Sequence, residues 1–242
     1  QFHAGDFVAL ADELAREISG RGRLPVICGG TGFYFKNFIY GLPDAPPSDE
    51  KIRDALQAEF ESEGSEPLYR RLGEIDPEAA ARIRRNDTYR ILRALEVFET
   101  SGRPLSDFKM PAQPRAAFDC LVIGLKRERE ALYERINMRV DMMFEQGLFE
   151  EVRSLAAAGC CSGHPGMKGI GYREFFDLGV DLEADVIEPS KLEALTELIK
   201  RNSRRYAKRQ ITWFRQLKDI HWFEPDDING ITAAVEGFTA GT

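Results

Sequence analysis

Between Lys200 and Lys218 the chain places eight lysines and arginines and no acid. A cation row of that density can hold a polyanion, and Asn202, Gln210 and Thr212 within it add hydrogen-bonding groups suited to phosphate and sugar oxygens. The chain as a whole carries a net charge of −7, so the residues outside this row stand at −15. An acidic protein of this kind does not adhere to nucleic acid indiscriminately, yet a local basic patch can still dock one. Four other groupings could do chemistry. Gly29, Gly30, Thr31 and Gly32 form a glycine-rich turn, where exposed N–H groups would suit an anion, and a plain tight turn explains them equally well. Lys168 and Arg173 bracket the glycines of KGIGYR, which suits a loop gripping phosphate or an ordinary surface loop. Arg135 and Arg139 lie one helical turn apart and share a face, where surface pairing with Glu134 or Asp141 is the plain alternative. Arg82, Arg84, Arg85, Arg90 and Arg93 form a second positive cluster with Asp87 as its only acid.

Other chemistries find no support. His3, His164 and His221 have no triad partners in the sequence, and no motif supplies a general base. Cys28, Cys120, Cys160 and Cys161 form no CxxC pair, so reduced thiols of a cytoplasmic protein are expected and no metal ligands are assigned. No apolar run approaches the ~20 residues of a membrane span, and no signal-peptide pattern is read near Ala4. A composition of 43% hydrophobic and 30% charged residues is that of a globular protein with a real core.

Elements must position these groups. Residues 4–19 read as an amphipathic helix with Phe7, Ala11, Leu14 and Ile18 on its apolar face. Residues 24–28 (LPVIC) read as a buried strand, followed by the glycine turn and a helix over 33–40. Strand, turn and helix in that order is α/β grammar. Prolines 43, 46 and 47 then open an all-helical block, with helices at 49–63, 67–75, 77–84 and 88–100. Prolines 104, 111 and 114 close it. This pattern predicts a helical insertion at 45–106 in an α/β core formed by 1–44 and 107–242. A second buried strand is expected at 120–124, helices at 127–146, 148–158 and 192–217, and a last strand at 221–223.

At 100° per residue, Arg204, Arg205, Lys208 and Arg215 cluster about Arg201 on the last long helix. Leu195, Ile199, Tyr206, Trp213 and Leu217 face the other way, which makes Tyr206 and Trp213 core anchors. The cationic face could be merely solvated, could lie on a membrane surface, or could bind phosphate. The absence of acids and the burial expected for the aromatic residues favour phosphate.

Four blocks now stand in order: GGTGFYF at 29–35, DTYRILRALEVF at 87–98, KGIGYR at 168–173 and KRQITWFR at 208–215. Together they resemble the bacterial tRNA dimethylallyltransferases, also called tRNA isopentenyltransferases, from about Asp6 to Phe223. The resemblance implies a P-loop-kinase-like, nucleotide-binding α/β core, with a helical insertion that embraces the anticodon stem of tRNA. It implies transfer of a dimethylallyl group from dimethylallyl pyrophosphate to N6 of the adenine 3′ to the anticodon, with Mg²⁺ assisting. Carried over by motif, Thr31 lies at the substrate site and Arg139 stabilises pyrophosphate, with Gly29 and Gly30 nearby. Arg53, Tyr89, Arg90, Arg93, Lys168, Gly171, Tyr172, Arg173, Lys208, Arg209, Gln210 and Arg215 are the implied tRNA contacts. Lys168 stands where some members have Arg, which removes a bidentate contact there. Gln1 is not an initiator Met, and the family's P-loop and general-base Asp would both precede it; activity is expected to need that segment. A cytoplasmic monomer is expected. The competing readings are a nucleotide-kinase-like phosphotransferase and a non-catalytic RNA-binding fragment.

Overall fold

The computed structural model describes residues 2–241. By contacts the chain divides into two compact units, Gln1–Asp119 and Cys120–Thr242.

In the first unit, α1 (Ala4–Gly20) starts on a reciprocal cap. The Asp6 amide donates to the His3 ring, and the His3 amide donates to the Asp6 carboxylate at 2.8 Å. α2 (Gly32–Tyr40) packs on α1 through the stacked rings of Phe7 and Tyr34, 4.7 Å apart. The face that α1 buries is turned from the expected one. Val8 and Ala15 are buried and Leu14 is exposed, because α2 approaches the stripe running through Phe7, Val8, Ala11, Ala15 and Ile18. Arg115 ties the two helices to the segment following the helical block. Its guanidinium donates to both oxygens of Asp12 on α1 at 2.8 Å and to the Phe38 carbonyl of α2 at 2.7 Å.

The expected strand at 24–28 does not form. The segment stays irregular, with Leu24 47% and Val26 72% exposed. A buried strand needs a neighbour to take its backbone hydrogen bonds, and no strand pairs with this one among the described residues.

The helical block is α3 (Glu50–Glu63), α4 (Ser65–Ile75), α5 (Pro77–Arg82) and α6 (Thr88–Ser101). Asp49, Asp76 and Asp87 cap α3, α5 and α6 by accepting backbone amides of the first turn. The central helix is α6, and its Ile91, Leu92, Ala94 and Leu95 pack among Leu56, Leu68, Leu72 and Ile83. Buried Asp76 does more than cap: its second oxygen accepts the Ser106 amide at 2.9 Å, fixing the turn that leaves the block.

The second unit holds β1 (Val122–Leu125) and β2 (Ile220–Phe223), paired in parallel with Gly124 opposite Trp222. Gly124 is required by a close approach, since a Cβ there would lie 2.6 Å from the Trp222 ring. Between the strands run α7 (Arg129–Glu145), α8 (Leu148–Ala157), α9 (Arg173–Asp177) and α10 (Pro189–Phe214); α11 (Ile228–Ala240) follows. Their core gathers Val140, Phe149, Val152, Met167, Leu195 and Ile199 around Phe175. A small parallel sheet among helices is an α/β arrangement, and helices dominate it.

The Arg115 clamp holds the Asp12 carboxyl below the usual carboxylate range, chiefly by its hydrogen bonds. A group whose folded pKa is depressed contributes stability above its unfolded pKa and loses it as pH falls through the folded one. Asp12→Asn is therefore expected to cost about 2 kcal/mol at pH 7. The difference from the parent should shrink once the pH is lowered below about 4. Urea unfolding midpoints of both proteins across a pH series check this.

Candidate nucleic-acid interface

α10 begins at Pro189 on a cap from Glu188, whose carboxylate accepts the Ser190 and Lys191 amides. Its first half is anchored by Leu195 and Ile199 in the core of the second unit. The anchoring does not extend as far as expected. Tyr206 is 43% exposed and carries the Arg209 guanidinium over its ring at 5.6 Å. Trp213 is half-buried against Phe214. The helix outruns the core that covers its first half, so aromatic residues at core spacing end at the surface.

The eight cations of 200–218 divide sharply. Lys200 is mostly covered and pairs with Asp141 of α7 at 2.7 Å. Arg204 donates to the Asn137 side chain, also on α7. Arg209 lies on Tyr206. Arg201, Arg205, Lys208, Arg215 and Lys218 are exposed, and none has an ion-pair partner among the described residues. On α7, Arg135 and Arg139 are likewise exposed and unpaired, since Asp141 is taken by Lys200 and Glu134 forms no bridge. Charges held this way keep their full field for a ligand.

The KGIGYR loop sits beside this helix. Lys168 is exposed, and the Arg173 guanidinium reaches Asp177 at 3.2 Å. Gly171 is buried with φ of 101°, in the left-handed region that favours glycine. The Tyr172 hydroxyl donates to Glu151 at 2.7 Å, and that bond, with partial burial and the carboxylate's charge, pushes the phenol up from its usual range. Gly171, Tyr172 and Glu151 line a pocket of about 280 Å³, closed on other sides by Gln146 and by the apolar Met143, Leu148 and Ile170.

In the first unit most of the clustered arginines are paired, and Arg84 alone of that cluster is exposed with no ion-pair partner among the described residues. Arg82, Arg85 and Arg90 pair with Glu78, Glu66 and Asp87 at 3.5, 3.0 and 2.9 Å. Arg93 is partly buried; it pairs with Glu96 at 3.0 Å and donates to the Pro46 carbonyl. Arg53 has no ion-pair partner among the described residues: it reaches the Ser48 hydroxyl and lies 5.3 Å over the ring of Tyr89, which is itself exposed. Tyr89, Arg90 and Arg93 line a pocket of about 200 Å³ floored by Ile83 and Leu105. In the glycine turn, Thr31 is exposed and begins α2 without a side-chain cap, and Gly29 is exposed beside it.

Two site residues escaped the sequence reading. Glu96 is 1% exposed, and its carboxylate accepts the Ser48 hydroxyl and the Asp49 amide besides pairing with Arg93. Burial pushes its pKa up, and the Ser48, Arg93 and Asp49 contacts outweigh that, holding the carboxyl below its usual range. Glu174 has no exposed surface at all. The signal for Glu96 was an acid embedded in an apolar run, LEV at 95–97, and for Glu174 an acid directly before two phenylalanines, EFF at 174–176. Among the described residues, no three His, Cys, Asp or Glu side chains come together as a metal site.

Comparison with known proteins gives the geometry its context. The IPP transferase family matches residues 1–217. The chain is 42% identical over 241 residues to tRNA dimethylallyltransferase of Geobacter sulfurreducens, a span covering 98% of this chain and 75% of that protein. Against the enzyme of the same name from Geobacillus kaustophilus the identity is 42% over 238 residues, 97% of this chain and 72% of that one. Among solved structures, the tRNA isopentenylpyrophosphate transferase of Bacillus halodurans superposes with a TM-score of 0.61 at 38% identity, covering 100% of this chain and 74% of its own. A eukaryotic dimethylallyltransferase acting on tRNA gives 0.73 at 25% identity, covering 99% and 60%. From glycine turn to basic helix, this chain belongs to the IPP transferase family.

Proposed function

We propose that this protein is a tRNA dimethylallyltransferase, moving a dimethylallyl group from dimethylallyl pyrophosphate to N6 of the adenine 3′ to the anticodon. The observation that carries the reading is the set of five exposed cations on and after α10 that no acid neutralises, in a chain of net charge −7. Relatives at 40–43% identity over most of the chain bear the same activity in their names.

In this reading Lys208, Arg209 and Gln210 of α10 and Arg215 at its C-terminal end, with Lys168, Gly171, Tyr172 and Arg173, contact tRNA. Arg53, Tyr89, Arg90 and Arg93 do so from the helical block. Residues 45–106 form an insertion that meets the anticodon stem, and 1–44 with 107–242 belong to a P-loop-kinase-like core. The protein works as a cytoplasmic monomer.

The reaction forms a bond between adenine N6 and the allylic carbon and breaks that carbon's bond to oxygen. Pyrophosphate departs with the electron pair, and the N6 proton passes to a general base. The amine is a weak nucleophile because its lone pair is conjugated with the ring, so alignment at near-attack distance is the first requirement. The target base is stacked in its loop and must be extruded, which single-stranded loops permit at modest cost. The growing charge on pyrophosphate needs preplaced cations and amides. Arg139, exposed and unpaired on α7, supplies the cation, and the Gly29–Gly30 turn supplies amides, with Thr31 at the substrate. Mg²⁺, where it takes part, would be held mainly by pyrophosphate oxygens and water, since the described residues offer no ready-made cage.

Arg139→Ala is expected to lower kcat by about 10²–10³ while leaving the Kd for tRNA nearly unchanged. Steady-state prenyl transfer and a binding titration measure the two. An unchanged kcat removes Arg139 from the chemistry. Lys208→Ala, made on an exposed and unpaired cation, should flatten the slope of log Kd against log salt by ~0.7–0.9. A Kd for tRNA indifferent to salt contradicts the proposed interface.

A further inference from the structure

Glu174 is the second residue of α9, immediately after the KGIGYR segment, sealed from water. One carboxylate oxygen accepts the Gly171 amide at 2.8 Å. The other accepts the side-chain amide of Asn202 at 2.7 Å. Asn202 lies on α10 next to Arg201 and two residues before Arg204, among the cations of the basic row. The Arg173 guanidinium stands 3.7 Å from the same oxygen. Gly171 is held at φ 101°, and a Cβ there would stand 3.4 Å from the Met143 methyl, so the loop takes a conformation that its own chain does not favour for other residues. A carboxylate accepts and never donates, so both donors converge on Glu174 without conflict. Loss of either would leave a buried polar atom unpaired.

We infer that Glu174 is a positioning residue that locks the Lys168–Arg173 loop to the basic helix α10, so that tRNA meets the two segments as one preset surface. The inference rests on the tRNA contacts proposed for those segments. Glu174 touches no substrate. It acts by ordering a glycine-rich loop before RNA arrives, which removes an ordering cost from binding. Its loss therefore belongs in the KM for tRNA and leaves the chemical step alone.

The test is a set of variants in the enzyme, with KM for tRNA, KM for dimethylallyl pyrophosphate and kcat measured for each. Glu174→Met keeps the volume and removes both acceptors. It should raise KM for tRNA about tenfold, with kcat and the other KM within about twofold. Asn202→Asp sets two carboxylates against each other and should act in the same direction. Adding Glu174→Gln to it restores one donor and one acceptor at the pair, keeps an acceptor for the Gly171 amide and returns the net charge. KM for tRNA should then recover to within about threefold of the parent. If Glu174→Met does not fold, the exchange pair decides alone. A loss in kcat with KM for tRNA unchanged, or no recovery in the exchanged pair, overturns the inference. Lys168→Ala separates the two levels. A raised KM there with Glu174→Met silent sinks the positioning role only. No effect of Lys168→Ala and Arg173→Ala on tRNA removes the loop from the RNA surface, and the positioning role with it.

Discussion

A carboxylate removed from water has to be fully hydrogen-bonded where it is buried, because no solvent remains to offset the lost hydration. Three buried acids among the described residues obey that constraint, and each reaches a segment distant in sequence. Asp76 joins the start of α5 to the turn at Ser106. Glu96 joins the middle of α6 to the start of α3. Glu174 joins a glycine loop to α10. Apolar packing alone would let these loops slide, since hydrophobic contact is non-directional. The buried acids supply direction, and the surface geometry of the neighbouring cations follows from them.

The same acids help explain why the two positive clusters are unlike. In the helical block, Arg93 is drawn inward to Glu96, and Arg82, Arg85 and Arg90 are neutralised by nearby carboxylates. Exposed pairs of that kind contribute little to stability and still cancel much of the local field. On α10 ion pairing stops after Lys200, and Arg201, Arg205 and Lys208, with Arg215 and Lys218 just past the helix, stand exposed. A surface that holds phosphates gains from cations that no protein group has claimed, because each phosphate they neutralise releases the counter-ion condensed on the nucleic acid. In the block, Arg53 over the exposed ring of Tyr89 presents both charge and a stacking face.

Much of this was legible along the chain. Helix starts at Asp49, Asp76 and Asp87 follow from short side chains that accept first-turn amides. The second strand was visible as CLVIG, although Gly124 owes its place to the Trp222 ring packed over it from β2. The four blocks that carry the family likeness were readable because chemistry demands their residue types at fixed spacing. The strand expected at 24–28 misled, since an apolar run states only that burial is wanted, and a strand exists only where a neighbour accepts its hydrogen bonds.

By itself, the sequence determined where helices begin and end, where positive charge concentrates and which family the blocks resemble, because these depend on local propensity and on residue identity. Tertiary structure decided which cations are spent on internal partners and which remain available. It exposed Tyr206, took Asp141 away from Arg139 and sealed Glu96 and Glu174 beneath the loops they hold. The reason is physical: pairing and desolvation depend on distances between residues remote in the chain, and no pattern of spacing along one segment encodes them.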